Sequence, residues 1–179
     1  MGKKHEINEG DTHEPLLEWT DNTNRLLGYI QENLVRSHKL RYRRLVLLIG
    51  DESGHLLFRL HNDNCLALPV LRDMPAGRSF ADVASETLLA EGFSPYNQLQ
   101  DLGYLPSQGL EYELRIYHAR IAHCHLERKT WGNEPYLLLD CDELKGLEHQ
   151  LSLEDLLHTL LQHKILAPFW QRNSIGRVS

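Results

Sequence analysis

The clearest apolar signal along the chain is the run Leu45-Val46-Leu47-Leu48-Ile49, entered through Arg43-Arg44 and left through Gly50. A run without alternation predicts a strand covered on both faces. Asp51-Glu52-Ser53-Gly54 then has turn composition, and His55 to Leu60 is a second apolar run, so the segment predicts a hairpin with a buried first strand. Phe80, Val83, Ala84, Thr87 and Leu88 recur at helical spacing and make one apolar face. Ser79 and Asp82 have the spacing of an N-terminal cap, and Gly92 is the expected C′ residue. Leu114 to Leu126 alternates roughly and Tyr136 to Leu139 is a short apolar run; both predict strands. A last helix is expected to be capped by Ser152 and Asp155, to bury the stripe Leu153, Leu156, Leu157, Leu160, Leu161 and Ile165, and to stop at Pro168.

The pattern is weaker ahead of the first strand. Residues 1–15 are polar, contain Gly10 and lack an apolar period, which predicts a mobile lead-in. Between Leu16 and Leu40 the apolar spacing is irregular, with Asp21 to Asn24 expected as a turn and Tyr29 to Val35 as a short helix. No internal repeat or low-complexity tract breaks the chain. A length of 179 residues predicts one domain over 16–179.

Composition narrows the function classes. A formal charge of −6 excludes a globally basic nucleic-acid binder but leaves room for a local patch. Arg36, Lys39, Arg41, Arg43 and Arg44 form one, and arginine forks suit phosphate oxygens, so Arg41 and Arg43 are the candidate ligand-binding residues, for a phosphorylated small molecule or, less favoured, an RNA backbone. The alternative is that these cations flank the buried strand and discourage edge pairing. Three cysteines without CxxC spacing exclude a disulfide framework and a structural zinc site, and fit a reducing cytoplasm. The N-terminus has no secretory apolar core, and no segment approaches the ~18 apolar residues a membrane span needs, so no membrane partner is expected. His123 and His125 would share one face of the predicted strand and could hold a transition metal, although a third ligand is not evident and surface polarity is the simpler reading. Trp19, Tyr29 and Trp131 could stack a base or belong to the core. No nucleophile elbow, P-loop or dinucleotide fingerprint is present.

The order hairpin, helix, strands, helix comes with particular residues: Glu18-Trp19-Thr20-Asp21 and Asn24, Leu40-Arg41-Tyr42-Arg43, Asp51 with Gly54-His55-Leu56-Leu57, Pro69, Asp73, Ala76-Gly77, Asn133-Glu134-Pro135, Asp142-Glu143-Leu144 and Phe169-Trp170-Gln171-Arg172-Asn173. Together these resemble the Nudix family, most closely its isopentenyl-diphosphate-isomerase-like bacterial branch, over nearly the whole chain. The resemblance implies an α/β fold, a Nudix-like α/β/α sandwich with a mixed central sheet, and a chain that can pair as a homodimer. The segment Leu102 to Leu110 is also similar to a loop of ADP-ribose-type Nudix hydrolases.

A Nudix box, G-x5-E-x7-R-E-U-x-E-E-x-G-U with U aliphatic, gathers carboxylates on one helical face to hold magnesium or manganese against a diphosphate. With Gly92-Phe93 as the closing pair, the acidic positions fall on Glu86, Leu89 and Ala90. A second register, with Gly77-Arg78 on an internal G-E pair, places Glu86-Thr87 on R-E and Ala90-Glu91 on E-E. Either register keeps one carboxylate, and the segment carrying the first glutamate is missing between Gly77 and Glu86. The resemblance therefore implies a degenerate box and a weak or inactive hydrolase that binds a phosphorylated small molecule or a protein partner. The alternative is a divergent hydrolase of nucleoside or isoprenoid diphosphates, with Glu86 catalytic and Mg2+ or Mn2+ held by Asp82, Glu86 and Glu134. The simpler and favoured reading is that Asp82 and Glu86 are solvated surface acids. Isomerase chemistry is excluded, because Asp73-Met74-Pro75 stands where that branch would need a reactive cysteine and Cys65 is displaced.

Overall fold

The computed structural model describes residues 14–93, 99–105, 112–126, 135–147 and 150–168. Its elements are β1 (Leu16–Thr20), β2 (Leu26–Gln31), α1 (Glu32–Ser37), β3 (Tyr42–Gly50), β4 (Leu56–Leu60), β5 (Cys65–Ala67), β6 (Val70–Asp73) and α2 (Phe80–Ala90), then β7 (Leu99–Leu105), β8 (Tyr112–Arg120), α3 (His123–Leu126), β9 (Tyr136–Leu139), α4 (Cys141–Leu147), β10 (Ser152–Leu153) and α5 (Asp155–Gln162).

β3 organises the sheet. It pairs in parallel with β8 along its whole length, from Tyr42 opposite Tyr112 to Gly50 opposite Arg120, and antiparallel with β6 over Arg44 to Leu47. β7 extends this sheet antiparallel to β8. At its far end Gly50 pairs with Leu56 and leads into β4, which lies antiparallel to both β5 and β9; β10 is parallel to β5. The sheet is therefore mixed.

The two faces of β3 explain its unbroken apolar run. Leu45, Leu47 and Ile49 pack with Phe80, Val83, Ala84 and Leu88 of α2, together with Tyr117, Ala119 and Phe93. Val46 and Leu48 point the other way, into a core with Leu144 of α4 and Leu156, Leu157 and Leu160 of α5. Both faces being covered, alternation has no polar side to report. This is an α/β/α sandwich, as the resemblance implied.

Local chemistry sets the helix ends. Ser79 Oγ accepts a hydrogen bond from Asp82 N at 3.1 Å, and Gly92 closes α2 at φ +75°, a conformation open to glycine without strain. α5 differs from expectation at both ends. It begins at Asp155 with no side-chain cap, because Ser152 and Leu153 are drawn into β10 beside Cys65 and Leu66. It ends at Gln162, with Lys164 in the left-handed region at φ 56°, so the turn stops the helix before Pro168 is reached.

The weakly patterned N-terminal region is a β1–β2 hairpin followed by α1. Its turn is locked by Asp21, whose Oδ1 accepts from Thr23 N and Arg25 N. Most of the expected lead-in lies outside the described residues. Its last two members are tied to α1: Glu14 Oε1 accepts from Asn33 N at 2.8 Å and the Pro15 carbonyl from Glu32 N at 3.2 Å. Among the described residues no helix is long and apolar enough to cross a membrane. All three cysteines are free thiols.

Candidate functional site

The amphipathic pattern of α2 fixes which side chains it can offer. Phe80, Val83, Ala84, Thr87 and Leu88 are buried, while Asp82, Glu86, Leu89 and Ala90 face outward. In the first register the closing pair is the left-handed Gly92 and the buried, aromatic Phe93, and the acidic positions fall on the outward Glu86, Leu89 and Ala90. Glu86 is 61% exposed and accepts a hydrogen bond from Arg78. Leu89 is half exposed. Among the described residues no group of three metal-capable side chains includes Asp82 or Glu86, and Glu134 lies outside those residues.

The basic cluster is built into the scaffold. Arg43 Nη1 donates to Glu18 Oε2 at 2.8 Å, its Nε to Glu113 Oε2 at 3.3 Å, and its Nη2 to the Asn24 carbonyl at 3.0 Å. Glu18 in turn accepts from the backbone N of Gly77 at 3.3 Å, so this buried network underlies the segment that opens toward α2. Burial pushes the Glu113 carboxyl above its ordinary range despite the neighbouring arginine. At Arg43 burial acts the other way, yet the bond to Glu18 and the charge of Glu113 hold the guanidinium above its ordinary value. Arg41 donates to Asn24 Oδ1 at 2.9 Å, and Asp73 takes both Arg44, at 2.7 Å, and Arg36, at 2.9 Å. Beside the N-terminal turn of α2, Arg115 is held by Asp101 and by Tyr104 Oη, and stacks over the rings of Tyr104 and Phe80.

A second constellation sits at the opposite end of β3. The side chain of Asp51 is fully buried where the hairpin turns. Its Oδ1 accepts from Ser53 N and His55 N, which locks the turn, while its Oδ2 faces His55 Nδ1 at 2.8 Å and His123 Nδ1 at 2.6 Å. Burial alone would raise the Asp51 carboxyl; the hydrogen bonds from His123 and His55 prevail and hold it below the usual carboxylate range. On the other side of His55 stand Asp140 and Glu143, which cap α4 reciprocally: Asp140 Oδ1 accepts from Glu143 N, and Glu143 Oε2 from Asp140 N.

The expected pairing of His123 with His125 on one strand face is not what forms. β8 stops at Arg120, and His123 to Leu126 make the short helix α3, on which His125 is exposed and His123 turns toward Asp51. The strand reading overran because Ile121 and Leu126 are both buried in the core on the α2 side and carry the apolar pattern past Arg120, where the chain turns into α3. Asp51 was read as a turn residue and His55 as the start of the following strand, and both entered the family resemblance without a metal role. Their four-residue spacing across a tight turn was the one available signal, and His123 is brought to them by the fold.

No family model matches this sequence, and no curated protein matches it. Solved structures do. The crystal structure of DR0079 from Deinococcus radiodurans superposes with a TM-score of 0.64 at 14% identity, covering 83% of this chain and 97% of that one. The solution structure of DR0079, described as a hypothetical Nudix protein, covers 68% and 72% at 14% identity with a TM-score of 0.43. An ADP compounds hydrolase covers 91% and 87% at 14% identity with a TM-score of 0.48. The first of these carries the comparison, and at such identity it speaks for architecture alone: with β3 and β8 parallel at the centre of a mixed sheet and α2 and α5 on its two faces, the chain has the Nudix fold.

Proposed function

We propose that this chain is a Nudix-fold protein with a degenerate box, weak or inactive as a hydrolase, that acts by binding a phosphorylated small molecule. The observation that carries the reading is the outward face of α2. Its one remaining box carboxylate, Glu86, is engaged by Arg78, and exposed Leu89 and Ala90 occupy the other two acidic positions. A magnesium ion keeps several waters but still needs carboxylate oxygens converging on it, and this donor set fits such an ion poorly. Arg78 at the N-terminal turn of α2, where helix amides also favour an anion, supports recognition of a phosphoryl group. Arg41 and Arg43 support it from beneath, by holding the β1–β2 hairpin to β3.

The purified chain is assayed with magnesium and with manganese against a panel of nucleoside-diphosphate-linked and isoprenoid diphosphate compounds, with Glu86→Gln as control. Turnover that this substitution abolishes refutes the reading and favours the divergent hydrolase, with cations at Asp82, Glu86 and Glu134. Without turnover, a compound that raises the melting temperature in wild type but not in Arg78→Ala supports it, since a ligand selective for the folded state must stabilise it. No shift with any phosphorylated compound points instead to a protein partner.

A further inference from the structure

We infer that Asp51, His55 and His123, with Asp140 and Glu143 alongside, form a binding site for a divalent transition cation of the zinc class, at the end of β3 remote from Arg43 and the Gly77 segment. The ligand atoms of Asp51, His55 and His123 lie within 4.8 Å of one another, as do those of His55, Asp140 and Glu143, so His55 joins two overlapping sets. The first set, two imidazoles and one carboxylate, is a donor mixture that suits zinc and its neighbours; a hard cation would take oxygens alone.

The arrangement has the depth that a site needs. Asp51 forms a buried anionic floor, and its second oxygen is occupied in fixing the turn, so the carboxylate cannot rotate away. His55 and His123 form a rim, 28% and 40% exposed, through which an ion can enter from solvent. Both rings are already aimed. Asp51 Oδ2 faces the Nδ1 of each, their centroids are 5.7 Å apart, and His123 is held again through its backbone N by Glu52 Oε2 at 3.2 Å. A buried carboxylate facing one nitrogen of each imidazole can join the ligand set, and carboxylates beside imidazoles recur in metal centres. Asp140 and Glu143 border the site on the other side of His55, where each uses one oxygen in capping α4. The side chains of the two sets come from the β3–β4 turn, α3 and the start of α4, and a cation on the first set would tie the turn to α3, far apart in sequence.

Full-length protein, stripped with a chelator, is titrated with zinc chloride by calorimetry and with cobalt(II) by absorption spectroscopy. One equivalent of zinc per chain is expected, weakened about tenfold or more in His55→Gln, His123→Gln and Asp51→Asn. His125→Gln and Cys124→Ser, exposed neighbours on α3, should bind as wild type does. Circular dichroism and metal-free melting show whether each variant has folded. Should the variants unfold, the wild-type cobalt spectrum decides: bands of imidazole and carboxylate ligation support the site, and a thiolate charge-transfer band overturns it. Failure to bind either ion, or zinc binding that folded His55 and His123 variants retain, also overturns it. Neither result bears on the phosphoryl-binding reading, which concerns the other end of the sheet.

Discussion

Replacing Arg43 by methionine tests whether the buried charge network beneath Gly77 is a structural unit. The methionine fills much of the space but leaves Glu18 and Glu113, whose side chains are 7% and 1% exposed, without their shared cation. Each must then stay charged in a poorly solvated place or take up a proton. Neutralising one carboxyl of ordinary value 4.5 costs about 3.4 kcal/mol at pH 7 and about 0.7 kcal/mol at pH 5, at about 1.4 kcal/mol per pH unit. The expected loss at pH 7 is therefore about 3–5 kcal/mol, in line with other broken buried pairs. That is a large share of the roughly 5–15 kcal/mol of a typical domain. The pH dependence has a definite sign. Because folding raises the Glu113 pKa, its contribution is fully present below the unfolded value and is lost as pH rises through the folded one. Removing Arg43 should raise that pKa further and steepen the decline. Urea denaturation followed by tryptophan fluorescence at pH 5 and pH 7 measures both effects. A loss under about 1 kcal/mol at pH 7, equal losses at the two pH values, or no relief from adding Glu113→Gln would refute this account.

Three further outcomes follow from geometry already described. Gly50→Ala should cost about 1–3 kcal/mol in thermal unfolding, because the added Cβ would lie 2.7 Å from the His55 carbonyl and 2.9 Å from Leu56 Cδ2 and must push the hairpin apart. Ser79→Ala removes the acceptor for Asp82 N and should cost about 1 kcal/mol in urea unfolding. Asp101→Asn should remove stability that wild type has above the ordinary Asp value of 3.8 and loses as pH falls through the depressed folded pKa set first by Arg115. The pair is partly exposed, so the difference at neutral pH should stay within about 1 kcal/mol, and melting curves of both proteins should converge in acid.

The fold was legible wherever one face or one period dominated. The run from Leu45 to Ile49 and the α2 stripe both appear as read, because burial on two faces or on one helical face leaves an unambiguous pattern. β1 and β2 were not, since Leu16, Leu26, Leu27 and Tyr29 are substantially exposed and their spacing reports no core. β5 and β10 are too short to carry a period. The α2 face could be read from helical geometry, including the places of Glu86, Leu89 and Ala90. The Asp51 cluster could not, since its donors come from three separate segments and their meeting is decided by how α3 and α4 pack, which no local spacing encodes. Arg43 was read as a candidate phosphate ligand, or else a cation flanking the strand, and its two buried partners, Glu18 and Glu113, could be found only in three dimensions.

The parallel pairing of β3 with β8 also bears on how the chain reaches this state. Arg43 and Glu113 stand 70 positions apart in the chain, so the central pairing forms only after a long closure whose entropic cost is met before any contact rewards it. Folding should accordingly be slow for the chain's size, and Leu45 to Ile49 spends that interval without its parallel neighbour. A short, uncharged, β-prone stretch in that condition is liable to intermolecular pairing. The paired arginines at its start place charge beside that stretch, the position expected of gatekeepers, until folding pairs them with Glu18, Asp73 and Glu113.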